Sequence, residues 1–538
     1  MSKMSQHMNA QQRIKNNTPA TMAIPGRETE MAKNNNGGFS FVISDWDYYK
    51  RFLIIGPSDG NNAVGASELT DEGFKLVKKL VAQDYKQVVD IAVGYSVSGR
   101  APKNDPAIIA VALTACYGDA EAQQYAHSKI REVCRTGTHM FLYAQVINTF
   151  GKWNAAAKRA FASWYNERPS DRLAVQMLKY QQRNGWSHRD VLRLAHVKPN
   201  DDVKNAMFRH AVGSEKIDLQ HLLPSLYDDV RSMNTADNAD TIVHLIENNQ
   251  NVSWEMVPTK FLNDPKVLAA LIPNMGMTAL IRQLGRFSSA GLTTPMTDTF
   301  KMIRDKLSDA AAIKNGRIHP ITLLTAMKMY KSGSGRSGAS WNPEGQIVKL
   351  LDDGFYKAFT YLEDTGANVL LGVDCSGSMF SATVNNSVLT AAEVAACMAM
   401  AIMKSHANYF IGGFGTNFRK LELSSGDSLD ATMKKIRQFP WQSTNISSVY
   451  DFARMNRIPV DVFGVITDND VNSGRAPTQA LQLYRTHMNK NAAQIVCATS
   501  MSKFTVADPK DPLQIDIPGF DSHVPAIFSE FEKLVLNK

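Results

Sequence analysis

From about residue 70 to residue 330, apolar side chains recur every three to four positions, which is the period of helices with one buried face. The segments DEGFKLVKKLVAQ (71–83), DPAIIAVALTACYG (105–118), AEAQQYAHSKIREVCR (120–135), THMFLYAQVINTF (138–150) and DTIVHLIENN (240–249) follow one another at short intervals. Strand patterns are nearly absent there. Helix pairs joined by short turns are the units of HEAT-like helical repeats, in which each pair buries its apolar face against its neighbours. After the Gly/Ser-rich loop KSGSGRSGAS (331–340) and a predicted helix at about 344–360, the period changes. The β-type runs NVLLGVD (368–374), ANYFIGGFG (407–415), VDVFGVITD (460–468) and AQIVCAT (493–499) alternate with helical stretches at about 386–405, 427–438, 446–456 and 476–488. That alternation predicts an α/β doubly wound, Rossmann-type parallel sheet. The first 36 residues are rich in Asn, Gln, Lys and Met, lack periodicity, and read as a flexible arm, with order beginning near Phe39.

A chain of 538 residues exceeds what one hydrophobic core accommodates, so the two patterns read as two domains, 37–362 and 363–538. No apolar run approaches the roughly 18 residues of a membrane helix, and the first residues lack the apolar centre of a signal peptide. The expectation is a cytoplasmic protein with no membrane partner. Its five cysteines are odd in number and scattered, as reduced thiols are, without the paired spacing of a zinc site. Charge separates the domains further. Residues 366–538 hold 15 basic and 15 acidic groups, so the whole net charge of +8 lies in the first 365. A basic helical domain suits a polyanionic partner, most often nucleic acid.

Two short stretches carry candidate chemistry. In VLLGVDCSGSMF (369–380), Asp374, Ser376 and Ser378 follow a strand at alternate positions, and an acid with two hydroxyls offers hard oxygen donors to Mg²⁺ or another divalent cation. Thr444 in WQSTNIS and Asp468 in GVITDND stand on loops expected at the same edge of the sheet, where open α/β folds bind ligands. No hydrolase elbow, phosphate-cradling Gly-Lys-Ser loop or nucleophile–base pair accompanies them, which argues against an enzyme. The other stretch, KYQQRNGWSHRDVLRLAHVKP (179–199), gathers Lys179, Arg183, His188, Arg189, Arg193, His196 and Lys198, with Ser187 as the expected N-cap of its second helix.

The Asp-x-Ser-x-Ser, Thr, Asp series resembles the metal-ion-dependent adhesion site of von Willebrand factor A domains. The basic stretch, with ASWYNERP (162–169) before it and RIHPITLLTAMKMYKSG (317–333) after it, resembles the TROVE module of the Ro ribonucleoprotein autoantigen family. The segments DWDYYKRFLIIG (45–56) and FTVADPKDPLQIDIPGFDS (504–522) match that family too. The resemblance implies a monomeric ring of HEAT-like helices closed by the von Willebrand factor A-like domain. It further implies binding of small noncoding Y-like RNAs on an outer basic surface, and of single-stranded 3′ ends of misfolded RNAs in a central hole. The role it suggests is RNA quality control, as a scaffold with an exoribonuclease partner.

Carried onto this sequence, the Y RNA contacts fall on Lys179, Arg183 and His188, with Arg189 and Lys198 on the same stretch. Arg135 and His139, in CRTGTHMF, match a motif near the inner face of the ring. The cation ligands fall on Asp374, Ser376, Ser378, Thr444 and Asp468. The threonine loop departs from the family's Gly-Gly-Thr-Asp, reading Gln442-Ser443-Thr444-Asn445, which leaves Thr416 as a second candidate. A reading from a different class is a protein-adhesion module, in which the cation captures a partner's carboxylate and RNA binding is incidental.

Overall fold

A computed structural model describes residues 17–56, 66–214, 217–335, 338–359, 363–381, 383–384, 388–439 and 443–537. The expected domain boundary at 362 and the loop residue Gln442 lie outside these residues, as do the first 16 positions of the predicted arm. Two short strands, β1 (Met31–Lys33) and β2 (Phe39–Val42), open the described chain, and helices follow as the 3.6-residue period predicts. Successive helices pack on their neighbours: Ala66–Ser98 on Asp105–Tyr117, that helix on Gly137–Thr149, Ala239–Asn248 on Pro265–Leu271, and Pro320–Lys331 on Gly345–Lys357. Caps fix their starts. Thr136, Asn154, Asp201 and Asn238 each accept a backbone N–H of the first turn.

A hairpin interrupts the helices, β3 (Gln182–Arg183) paired with β4 (Trp186–Ser187), its turn held by left-handed Asn184 and Gly185. The two ends of the helical array meet. Arg317 Nε donates to the Val97 carbonyl at 2.6 Å, and His319 Nε2 lies 3.1 Å from the Arg100 carbonyl and 2.8 Å from that of Phe520.

The second domain is built on β5 (Val369–Asp374), β6 (Tyr409–Phe414), β7 (Phe418–Lys420), β8 (Val462–Thr467) and β9 (Ala493–Ala498). After β10 (Phe504–Thr505) comes β11 (Gln514–Pro518), and the sheet order is β11-β9-β8-β5-β6-β7, parallel except for β7. Strands β5, β8 and β9 are buried at every position, because helices cover both faces of a parallel sheet, and this is why their sequences run apolar without alternation. The central strands end side by side at Asp374 and Thr467, so the loops that follow share one edge.

Further buried polar links bind the domains together. Arg51, 0% exposed, reaches the carbonyls of Ser502 and Phe504 and the carboxylate of Asp516. Arg100 pairs with buried Asp521. Glu393, in the capping box of the helix Ala391–Lys404, pairs with Lys328 of the helical domain at 2.7 Å.

The expected arm is corrected from Asn17 onward. Residues 17–42 are folded against the second domain: Ala20 N–H donates to Gly474 O and Ala476 N–H to Thr18 O. Strand β2 pairs with β10. The segment carries little periodicity because its own strands, β1 paired with β2, are only three and four residues long, and much of its remaining backbone is satisfied by a distant loop.

Candidate functional site

Asp374 is the last residue of β5, and the chain turns sharply after it. Its Oδ1 accepts the Ser376 N–H at 2.9 Å and its Oδ2 accepts the Thr467 hydroxyl at 2.6 Å, which fixes the carboxylate across two strand ends. The Ser376 and Ser378 hydroxyls lie 3.0 Å apart, and the Ser378 hydroxyl bonds Asp468. Thr444 is brought in by the neighbouring loop: its N–H donates to Asn472 Oδ1 at 2.9 Å, and its carbonyl accepts from Asn472 N–H at 3.1 Å. All five predicted residues therefore share the edge of the sheet. Asp374, Ser376, Thr444 and Asp468 are buried, and Ser378 is half-buried.

The electrostatics of this edge fit a cation. Burial, and next the charge of Asp468, push the Asp374 carboxyl above the usual carboxylate range, and burial raises Asp468 too. Thr444 Oγ1 is buried at 1% residue exposure and makes no hydrogen bond with a described residue. A buried hydroxyl with no partner costs free energy unless something accepts its lone pairs, and a divalent ion facing two carboxylates would do so. Thr416 is exposed and bonds Ser443, so it stands on the rim, and Thr444 is the better ligand. Among the described residues no three His, Cys, Asp or Glu side chains converge, so a cation here would meet two acids with hydroxyls. Sequence reading missed Asp470, whose carboxyl is buried beside Asp468, and Thr467. Both lie in VITDND, where the run of polar residues after a buried strand was the available signal.

The basic stretch divides into exposed and buried members. Arg183, Arg189, Arg193 and Lys198 are exposed, and none forms an ion pair with a described carboxylate. Arg183 projects from the β3–β4 hairpin, and Arg189 and Arg193 from the helix His188–Ala195, which Ser187 caps in a capping box with Asp190. Lys179 is partly buried, 3.7 Å from Glu255.

The expectation of a nucleic-acid contact at His188 is corrected. Its ring is 4% exposed, Nδ1 lies 2.9 Å from the Tyr165 hydroxyl and Nε2 3.3 Å from the Gln176 carbonyl, so it is a core side chain. Being the first residue of an amphipathic helix, it points inward while Arg189 points out. His196, by contrast, is exposed at the left-handed end of that helix.

Arg135 and His139 lie at the start of the helix Gly137–Thr149, against which the β3–β4 hairpin packs. Burial lowers His139 to about 4, and the charges of Arg135 and Arg183 add to that effect. The two motifs that the resemblance assigned to different faces thus meet at His139.

Comparison with known proteins matches both domains. The TROVE domain model matches residues 32–242 and 246–333, and the Ro60 vWA domain model matches residues 368–532. The chain is 30% identical over 524 residues to the RNA-binding protein RO60 of Deinococcus radiodurans, covering 96% of this chain and 97% of that protein. It is 29% identical over 581 residues to the RNA-binding protein RO60 of Caenorhabditis elegans, covering 93% and 89%. The crystal structure of the Deinococcus radiodurans RO (RSR) protein superposes with a TM-score of 0.69 at 29% identity, covering 91% of this chain and all of that one. With the helical module and the α/β domain matched in the same order, this chain belongs to the Ro60 family, whose members join a TROVE domain to a von Willebrand factor A domain.

Proposed function

We propose that the chain is a noncatalytic RNA-binding protein that takes up small Y-like RNAs and the single-stranded 3′ ends of misfolded RNAs. The observation that carries this reading is the strip Arg183, Arg189, Arg193 and Lys198, four exposed cations left unpaired by described carboxylates, with Arg183 and half-buried Arg135 both close enough to His139 to act on its charge. Unpaired guanidinium groups on a rigid helix and hairpin suit phosphates, which they meet in bidentate geometry. The relatives named RNA-binding proteins support the same reading.

The meeting of the array's two ends suits a closed monomeric ring able to admit a single strand. Its work would be RNA quality control beside an exoribonuclease. Five buried, unpaired cysteines suit a reducing compartment, the cytoplasm, and no helix among the described residues is long and apolar enough to cross a membrane. Asp374, Ser376, Ser378, Thr444 and Asp468 would hold a Mg²⁺-class cation, which when bound neutralises the paired carboxylates. Docking at that edge, and not catalysis, is the role we assign to it.

The test is a titration of full-length protein with a hairpin RNA bearing a single-stranded 3′ tail, at several salt concentrations. Affinity falls as salt rises, since each phosphate contact releases counterions. Arg183→Ala with Arg189→Ala lowers the slope of log affinity against log salt by about two and costs on the order of 1–3 kcal/mol per contact. A slope unchanged in the double variant would show that the strip does not touch RNA.

A further inference from the structure

The N-terminal turn Asn34-Asn35-Asn36-Gly37-Gly38 lies against the loop that carries Asp468, more than 400 residues away in sequence. Asn34, 5% exposed, donates from Nδ2 to the Val471 carbonyl at 2.8 Å, while its Oδ1 accepts the N–H groups of Asn36 and Gly38 and so shapes the turn. Asn35 donates to both carboxylate oxygens of Asp470, from its backbone N–H at 3.3 Å and from Nδ2 at 3.2 Å. Asn36 Nδ2 reaches the Asp470 carbonyl and Ser40 Oγ the Asn469 carbonyl. Contact is so close at Gly38 that a Cβ there would stand 2.0 Å from Val471 O. Only glycine fits.

The loop so covered leads directly into the cation site. Asp470 N–H donates to Asp468 Oδ1 at 3.1 Å, and Asn472 positions Thr444 through both its side chain and its N–H. Thr444, on the loop at the same edge, has a buried Oγ1 with no hydrogen-bond partner among the described residues. Asp470 does not converge on a point with Asp374 and Asp468, and it is turned toward Asn35.

We propose that the turn Asn34–Gly38 is the outer wall of the cation site, holding Asp470 as an acid that acts on the cation's water shell, and that cation binding and docking of the N-terminal segment are coupled. This rests on the reading of Asp374, Ser376, Ser378, Thr444 and Asp468 as a cation site. The chemistry follows from charge. Two inner carboxylates would balance a divalent ion, and a third acid close behind them would accept hydrogen bonds from water bound to that ion, as outer-shell acids do at metal sites. The acid that completes the site then comes from the chain itself, and a partner's carboxylate is not required for the ion to bind.

The test is titration of the full-length, chelator-treated protein with Mn²⁺, followed by calorimetry, with hydrogen exchange of residues 17–42 measured with and without the ion. Wild type binds, and the ion slows exchange in that segment. Asp470→Asn, an isosteric change that keeps an acceptor for Asn35, weakens Mn²⁺ binding about tenfold, the size typical of outer-shell changes. Gly38→Ala, which forces the turn off the loop, weakens it at least as much while the helical domain melts as in wild type. Binding by wild type with both variants within twofold of it would overturn the outer wall and leave the site itself standing. Absence of Mn²⁺ binding by wild type at millimolar concentration would overturn the cation site, and the outer wall with it.

Discussion

Arg51→Ala is expected to destabilise the folded protein by about 3–5 kcal/mol, the scale for removing one partner of a buried ion pair. Arg51 is fully buried where the helix Asp45–Ile54 meets the second domain. Its Nη1 satisfies the carbonyls of Ser502 (2.5 Å) and Phe504 (2.9 Å), and its Nη2 lies 2.6 Å from Asp516. Burial raises the Asp516 carboxyl despite that pairing, so the carboxylate depends on the guanidinium to remain charged. Truncation takes a donor from each of two carbonyls and leaves the acid only the Thr505 hydroxyl at 2.8 Å, each lost bond a desolvation penalty of about 1–3 kcal/mol. Asp516→Asn, which keeps a hydrogen-bond acceptor, costs less. Urea unfolding of the three proteins decides it: a loss below about 1 kcal/mol for Arg51→Ala would show that the domains are not held together there.

Acidification is the second large effect, and its sign follows from two tautomers. His319 Nδ1 accepts the Ile321 N–H at 3.1 Å while Nε2 faces the Phe520 and Arg100 carbonyls, so only the neutral ring fits. His188 is held in the same way between the Tyr165 hydroxyl and the Gln176 carbonyl, with Arg168 nearby opposing further charge. Burial lowers both rings from 6.5 to about 4. The unfolded chain therefore binds more protons than the folded one between those values. The stability each ring contributes is present above pH 6.5 and is lost as pH falls toward 4, by about 3 kcal/mol per ring.

Asp374 and Asp470, whose folded values are raised, act in the opposite direction. The slope is accordingly read as a difference. Unfolding free energy measured from pH 7.5 to 4.5 should fall less steeply in His188→Gln than in wild type, and parallel curves would show that the ring is not held neutral.

The fold was legible where periodicity was strong. Strands β5, β8 and β9 announced themselves as unbroken apolar runs because both faces are covered, and the helices Asp105–Tyr117 and Gly137–Thr149 as apolar-rich segments of helical length set between short turns. The clustering of the five candidate residues at one sheet edge was legible because alternation past a strand end places Asp374, Ser376 and Ser378 on one turn, and because Thr444 and Asp468 stand on loops at the same edge. Residues 17–42 were not legible: Asn34 and Asn35 find their partners at Val471 and Asp470, and no local pattern reports a contact at that separation. His188 was misread for a related reason. A basic stretch gives the charge of a surface, but which member turns inward depends on the phase of the helix that Ser187 begins.

Ultraviolet crosslinking of the full-length protein to a tailed hairpin RNA, with the attached peptides identified by mass spectrometry, tests the RNA reading most directly. Crosslinks concentrated in residues 179–198 and 135–139 are the predicted result. Crosslinks confined to residues 363–538, with none on the helical domain, would contradict it.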